Sequence, residues 1–218
     1  MPSVKLPRKS TDTDMTPFVD VAFLILSFFM LATKFKPPEP VEITTPGSVN
    51  SQKLPDNNAV MVIIDSSNRV FFSVLSEKDK GKFDAIIQDI NTKRSLGLSN
   101  TEMSNYRQTF AIGCSFSNVK QLLSLDQKEQ NKLQQPGIPV LDSANNELVW
   151  WIAASKAAFA GQPLNYLIKG DAKSKYPTFE AVISALKRND EFKYNLVTAL
   201  DDIPSGSELD NFYKNAKK

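Results

Sequence analysis

The chain has no histidine and only one cysteine, Cys114, in 218 residues. The lack of histidine excludes Ser–His and Cys–His nucleophile pairs and metal sites built on imidazole, and it removes the commonest general base. A single cysteine excludes an intramolecular disulfide and a zinc site with several cysteines. The net charge of +2 is not the basic excess that is typical of nucleic-acid binding. We therefore expect a protein that is not an enzyme and that uses no cofactor or metal.

Charge is also scarce in one long stretch near the start of the chain. From Met15 to Thr33 the only formally charged residue is Asp20. This run has close to the ~20 residues that an α-helix needs to cross a bilayer core. An aspartate inside such a span costs roughly 2.5–3.5 kcal/mol on insertion scales. The pattern predicts a transmembrane helix at residues 15–34 that carries a costly carboxyl group.

The residues around this run predict its orientation in the membrane and whether it is cleaved off or retained. A polar tail at residues 1–14 carries three basic residues, which favour a cytoplasmic N-terminus: Lys5, Arg8 and Lys9. A cleaved signal peptide is the competing interpretation. The run is long, it contains Asp20, and Thr33-Lys34-Phe35 is a poor match to a small-x-small cleavage site. We therefore expect a retained anchor.

Asp20 is the strongest candidate for chemistry. Thr16 and Ser27 lie four residues before it and seven residues after it, so all three share one helical face. A carboxyl that is neutral when protonated and charged when not can be loaded and unloaded by a proton gradient. One helix cannot enclose a water path, so this role needs other helices, from a second copy or from another membrane protein. If Asp20 lies instead at the membrane surface, the helix is only an anchor.

Composition changes abruptly after the apolar run. The segment at residues 35–58 is rich in proline: Pro37, Pro38, Pro40, Pro46 and Pro55. Such a stretch cannot hold a continuous helix and is expected to be extended and semi-rigid, at about 3 Å per residue. It predicts a linker that holds the following domain away from the membrane.

The remainder predicts a folded domain at residues 59–204 and a polar tail at residues 205–218. Ala59–Asp65 and Arg69–Leu75 have the pattern of a hairpin. An apolar stripe at helical spacing follows, formed by Phe83, Ile86, Ile87 and Ile90. Near the other end, the pattern predicts a β-α-β unit, whose two strands are expected to be parallel. It consists of a strand at Asn165–Lys169, a helix from Pro177 and a strand at Tyr194–Leu200.

The middle of the domain, residues 95–162, is less regular in pattern. Phe110–Cys114 is a candidate strand, with Cys114 as a buried small side chain. Ser117 is a candidate N-cap for a helix through Leu133. Glu147–Phe159 is a candidate helix that buries at least one indole of the Trp150-Trp151 pair. We call residues 95–162 the inserted region.

A short motif at the start of the apolar run resembles the signature of the ExbD/TolR family. The motif is Thr-Pro-Phe-Val-Asp-Val, from Thr16 to Val21, and the apolar run after it ends at Phe29-Met30. Leu164–Leu200, with Lys169-Gly170-Asp171 after its first strand, resembles the closing strand-helix-strand unit of that family. The resemblance implies one transmembrane helix and a small α/β periplasmic domain, with a mixed sheet and helices on one face. The inserted region is longer than the family domain needs.

The resemblance also implies a function. Asp20 falls on the proton-carrying aspartate of the family, and Thr16, Pro17 and Phe18 fall on its Thr-Pro-Phe motif. It implies a bacterial inner-membrane protein that forms a homodimer within an ExbB/TolQ-like partner. Proton flow would then drive a TonB- or TolA-like protein that spans the periplasm. Two alternatives remain open. The protein has a TolR-like role in envelope integrity, or it is a membrane-anchored periplasmic binding or scaffold protein whose helix is inert.

Overall fold

The structure is a computed structural model, and it describes residues 15–32, 41–49, 54–55, 57–76 and 79–200. The chain divides into two compact units, Met1–Pro37 and Pro38–Lys218. The tails predicted at residues 1–14 and 205–218 lie outside the described residues, as do residues 33–40 and 50–53 between the apolar run and the domain.

The first unit contains helix α1, Thr16–Ala32, which is 17 residues long. Pro17 fits the first turn because a proline there needs no hydrogen bond for its nitrogen. The Val19 amide donates to the Met15 carbonyl at 3.0 Å and so closes that turn. The helix lies within the predicted span of residues 15–34. Among the described residues, no helix is both long enough and apolar enough to cross a membrane.

The second unit is a mixed α/β domain. Its described residues form six strands: β1 Gly47–Ser48, β2 Ala59–Ile64, β3 Val70–Leu75, β4 Asn165–Gly170, β5 Asn195–Val197 and β6 Ala199–Leu200. Four of them form one sheet in the order β3-β2-β4-β5. The β2–β3 pair is antiparallel, and the β2–β4 and β4–β5 pairs are parallel. The predicted hairpin and the parallel β-α-β unit are both confirmed.

The hairpin turn depends on Asp65, which is 1% exposed. Its Oδ1 accepts from the amides of Ser67 and Arg69 at 2.9 and 2.7 Å, and its Oδ2 accepts from Arg69 Nε at 2.6 Å. Asn68 takes a left-handed conformation, with φ of 63°, that asparagine tolerates better than most residues. The short polar run between the two apolar strands therefore builds a tight turn with its buried carboxylate satisfied.

Six helices of the domain are described: α2 Lys80–Arg94, α3 Asn100–Tyr106, α4 Phe116–Leu123, α5 Gln127–Gln130, α6 Leu148–Ala158 and α7 Tyr176–Lys187. The main core joins one face of the sheet, through residues such as Val60, Val62 and Phe72, to buried residues of these helices. The stripes predicted for α2 and α7 supply Ile86, Ile90 and Val182 to it. Since the core of the opposite face has no helical member among the described residues, the helices cover one face.

The opposite face is covered by part of the predicted linker. Val41 and Ile43 pack against Met61, Ile63 and Leu167 there. The same segment continues into β1, which pairs in parallel with β6. We call residues 41–48 the docked segment. Apolar side chains at alternate positions explain why it lies on the sheet, so this part of the predicted linker is not a free spacer.

The inserted region packs along the outer edge of β3. The backbone of Ile112 exchanges two hydrogen bonds with Phe72, at 2.7 and 2.8 Å, and the Ile138 amide donates to the Val70 carbonyl at 2.8 Å. The strand predicted at Phe110–Cys114 is thus a single bridge. The inserted region covers an edge that would otherwise present unpaired backbone groups.

Three details of the predicted elements are wrong. The helix predicted from Ser117 to Leu133 is two helices, α4 and α5, and Ser115 occupies the N-cap position of α4. The side-chain amide of buried Gln130 (Nε2) donates to the Leu125 carbonyl at 2.9 Å in the break between them. The single strand predicted at Tyr194–Leu200 is β5 and β6, which belong to different sheets because β6 pairs with the docked segment.

Candidate functional site

Helix α1 presents large apolar side chains on every side. Eleven of its side chains are large, apolar and about half exposed or more: Phe18, Val19, Val21, Phe23, Leu24, Ile25, Leu26, Phe28, Phe29, Met30 and Leu31. A helix that is apolar all round is stable only when lipid or protein covers it. The described part of α1 therefore needs an apolar environment of lipid or protein around it.

Asp20 lies in the second turn of this helix, and its side chain is exposed. Within the described part of the chain it forms no ion pair. It is the only ionisable side chain of α1. An unpaired carboxylate in an apolar environment is costly, so such a site needs a group that solvates it or takes up its charge.

The other predicted site residues lie on the same helix. Pro17 and Phe18 are in the first turn, and the exposed Phe18 ring projects outward. Thr16 is one turn before Asp20, about 6 Å along the axis at 1.5 Å per residue. Ser27 is about 10 Å beyond Asp20, and its hydroxyl donates to the Leu24 carbonyl at 2.9 Å. The roles of these residues in supporting Asp20 remain predictions.

The domain contains a second polar site that the sequence pattern did not single out as functional. Asp171, after β4, accepts from the Thr44 amide at 3.0 Å and from the Lys173 amide at 2.8 Å. The Ala172 amide donates back to the Thr44 carbonyl at 2.9 Å. The backbone donors at Lys173 and Thr44 lower the pKa of Asp171. Asp171 therefore fastens the docked segment to the domain.

A third polar site lies inside the inserted region. Glu147 is 7% exposed, and its Oε2 accepts from the Phe116 amide at the start of α4, at 2.8 Å. Burial raises the pKa of Glu147, while the Phe116 amide and the charge of Arg94 oppose that rise. No local sequence pattern indicates this contact, because the two residues are 31 positions apart.

Cys114 is buried, as expected. Burial raises the pKa of its thiol to about 12, and the nearby carboxylate of Glu147 adds to the shift. The thiolate is therefore scarce near neutral pH, which makes Cys114 a poor nucleophile. Among the described residues no cluster of His, Cys, Asp or Glu is arranged to hold a metal ion.

Comparison with known proteins finds one family whose model matches most of the chain. The family model described as biopolymer transport protein ExbD/TolR matches residues 7–201. No curated protein and no solved structure matches the chain. The matched range includes α1 with Asp20, the docked segment, the inserted region and both ends of the four-stranded sheet. The chain belongs to the ExbD/TolR family of biopolymer transport proteins.

Proposed function

We propose that this protein is a subunit of a proton-driven motor in the bacterial inner membrane, of the ExbB–ExbD type, that energises a TonB-like protein for outer-membrane transport. Residues 15–34 cross the membrane with the N-terminus in the cytoplasm, and the domain lies in the periplasm. The observation that carries the proposal is the position of Asp20, the one ionisable group of an otherwise apolar helix. Family membership supports the same assignment.

The proposed mechanism follows from the chemistry of that position. Asp20 binds a proton that arrives from the periplasm and becomes neutral, and it becomes charged again when the proton leaves toward the cytoplasm. Moving one charge through the membrane potential is worth about 2.3 kcal/mol per 100 mV. The change in charge alters how α1 lies against the helices of an ExbB/TolQ-like partner. A homodimer supplies two such helices, and the domain relays the motion without covalent chemistry.

The test is to replace Asp20 and to measure assembly and function separately. Asp20→Asn keeps the size of the side chain but cannot carry a proton as a carboxylate does. We expect it to insert and to co-purify with the multi-span partner, while energised uptake is lost. Asp20→Glu is the matched control, because it retains a carboxyl group and is expected to keep part of the activity. Full activity of Asp20→Asn would refute the mechanism.

The ExbD/TolR match also supports a second load for the same motor, which is maintenance of the cell envelope. The two roles differ in the phenotype of a deletion strain. Loss of an ExbD-type subunit abolishes energised nutrient uptake, whereas loss of a TolR-type subunit gives leaky cells that fail to separate. Measuring both in one strain discriminates between the loads.

An inert anchor is the remaining alternative. In that case the domain alone carries the function, as a periplasmic binding or scaffold protein. Exchanging residues 15–34 for an unrelated membrane anchor separates the two cases. The motor proposal predicts that the exchange abolishes function while the protein remains in the membrane, and retained function would support the inert anchor.

A further inference from the structure

A polar cleft opens where three parts of the domain meet. It has a volume of about 210 Å³, and its walls include Val41 of the docked segment, Phe71 of β3 and Arg69 just before that strand. The loop of the inserted region that follows α5 supplies the other lining residues: Asn131, Lys132, Leu133, Gln134 and Gln135. Segments that are far apart in the sequence therefore build one cleft, and the inserted region provides most of its wall.

The two sides of the cleft are fixed to each other by hydrogen bonds. Arg69 donates from Nε to the Asp65 carboxylate at 2.6 Å and from Nη1 to the Gln135 carbonyl at 3.1 Å. The Gln135 side chain is buried, and its Oε1 accepts from the Gly113 amide at 2.5 Å. The cleft is thus formed before any ligand arrives, which lowers the entropy cost of binding.

Several polar groups of the cleft are available to a ligand. Lys132 is exposed and forms no ion pair within the described part of the chain. The exposed side-chain amides of Asn131 and Gln134 make no hydrogen bond to the described residues. The same holds for Nη2 of Arg69, whose other side-chain bonds are to Asp65 and Gln135. The cleft therefore presents donors from one guanidinium, one ammonium group and two amides.

The charge of the cleft indicates what kind of ligand it fits. None of the described residues that line it is acidic. The charge of Arg69 is already balanced by Asp65, which is 1% exposed, so Lys132 leaves the lining with one unbalanced positive charge. A carboxylate carries one negative charge, whereas a phosphate group carries about −1.5 to −2 at neutral pH. The lining therefore matches a carboxylate better than a phosphate.

We propose that this cleft binds an acidic peptide segment of a partner protein, with one carboxylate side chain between Arg69 and Lys132. Charge-assisted bonds from these two residues hold the carboxylate. The amides of Asn131 and Gln134 carry both donors and acceptors and so pair with the peptide backbone. Leu133 is 44% exposed and adds apolar contact. The volume is below the ~300 Å³ at which pockets for drug-sized ligands begin, which suits one side chain of a peptide.

Binding of short peptides to the full-length protein in nanodiscs of zwitterionic lipid tests the site. The probe is the tripeptide Gly-Glu-Gly with both ends blocked, so that its side chain carries its only charge. We expect it to shift the NMR signals of the backbone amides of residues 131–135 until they saturate. The blocked tripeptide Gly-Gln-Gly has the same size without the charge and should bind several-fold more weakly.

A variant and its matched control locate the binding. Lys132→Gln should weaken the binding of Gly-Glu-Gly several-fold, because it removes the unbalanced charge from an exposed position where the fold does not depend on it. Lys128→Gln should leave the affinity unchanged, since Lys128 is an exposed residue of α5 that does not line the cleft. Arg69 is unsuitable for this purpose, because its loss leaves the buried carboxylate of Asp65 without its charged partner.

The absence of saturable shifts would overturn the proposal, and so would equal binding of the two tripeptides or an unchanged affinity in Lys132→Gln. Acetate and inorganic phosphate separate the possible sources of the negative charge. Acetate that binds as tightly as Gly-Glu-Gly would assign the cleft to free carboxylates, and phosphate that binds more tightly would assign it to phosphate groups. Either result would overturn a peptide ligand. None of these results bears on Asp20, whose test is energised uptake.

Discussion

At the scale of single residues, Asp171 shows how one carboxylate can fasten distant parts of a chain. Its two backbone donors include the Thr44 amide, 127 positions away. In Asp171→Ala we expect the Thr44 amide to exchange several-fold faster, because its acceptor is gone. Asp142→Ala is the matched control, since Asp142 accepts only a local bond, from the Ala144 amide at 2.9 Å, in an exposed loop. Equal protection of Thr44 in wild type and Asp171→Ala would contradict this role.

The same residue predicts how the attachment of the docked segment depends on pH. Folding lowers the pKa of Asp171 because the Lys173 and Thr44 amides bind its charged form. Its contribution to stability is therefore present above its ordinary pKa and is lost as pH falls through the lowered value. The Thr44 amide should therefore lose protection from exchange in acid. An exchange series over pH, corrected for the intrinsic pH dependence of exchange, measures this, and unchanged or greater protection of Thr44 in acid would contradict it.

Gly113 is a residue whose lack of a side chain is required by packing. A Cβ at this position would overlap the buried ring of Phe71. Gly113→Ala is expected to cost about 1–3 kcal/mol, as overpacked cores do. Gly170→Ala is the control, because the nearest atom to its new Cβ is Ser174 Oγ at 3.7 Å. Urea unfolding followed by circular dichroism measures both, and equal midpoints would argue against the predicted overlap.

At the scale of elements, α6 joins the inserted region to the sheet through Trp151. The indole is fully buried and stacks on Phe72 at 5.3 Å, on Phe116 at 5.7 Å and on Tyr106 at 6.0 Å. Trp151→Ala should cost roughly 3–5 kcal/mol, in the range for large buried aromatics. Its neighbour Trp150 is 38% exposed and contacts Arg94, so Trp150→Ala should cost about 1 kcal/mol. Similar unfolding midpoints of the two variants would contradict this asymmetry.

Elements with a strong local period could be predicted from sequence, and those held by distant contacts could not. Three predicted features are confirmed by the structure: the apolar stripe of α2, the hairpin of β2 and β3, and helix α6 with a buried indole. The start of α4 was missed because its amide is capped by Glu147 from 31 positions away. The break between β5 and β6 was missed because β6 pairs with residues of the predicted linker.

At the scale of the whole molecule, the family was predicted from a six-residue motif and the order of segments, and the match over residues 7–201 confirms it. The candidate site in α1 was visible in sequence because a lone charge in an apolar run is conspicuous. The polar sites at Asp171 and Glu147 were not, since each depends on an amide far along the chain. Local patterns thus singled out Asp20 as the candidate site, and the folded structure was needed to find what fastens the domain.

The covered edge of β3 limits how many copies of this protein can join through its main sheet. Among the described strands, β3 is bridged on its outer side by Ile112, whereas β5 has a neighbour only at β4. Within the part of the chain that the structure describes, strand addition between identical molecules therefore has one edge to use. Two molecules that pair edge to edge consume both of their open edges, and a third has nowhere to attach. An arrangement of this kind favours a closed pair over an open-ended fibre.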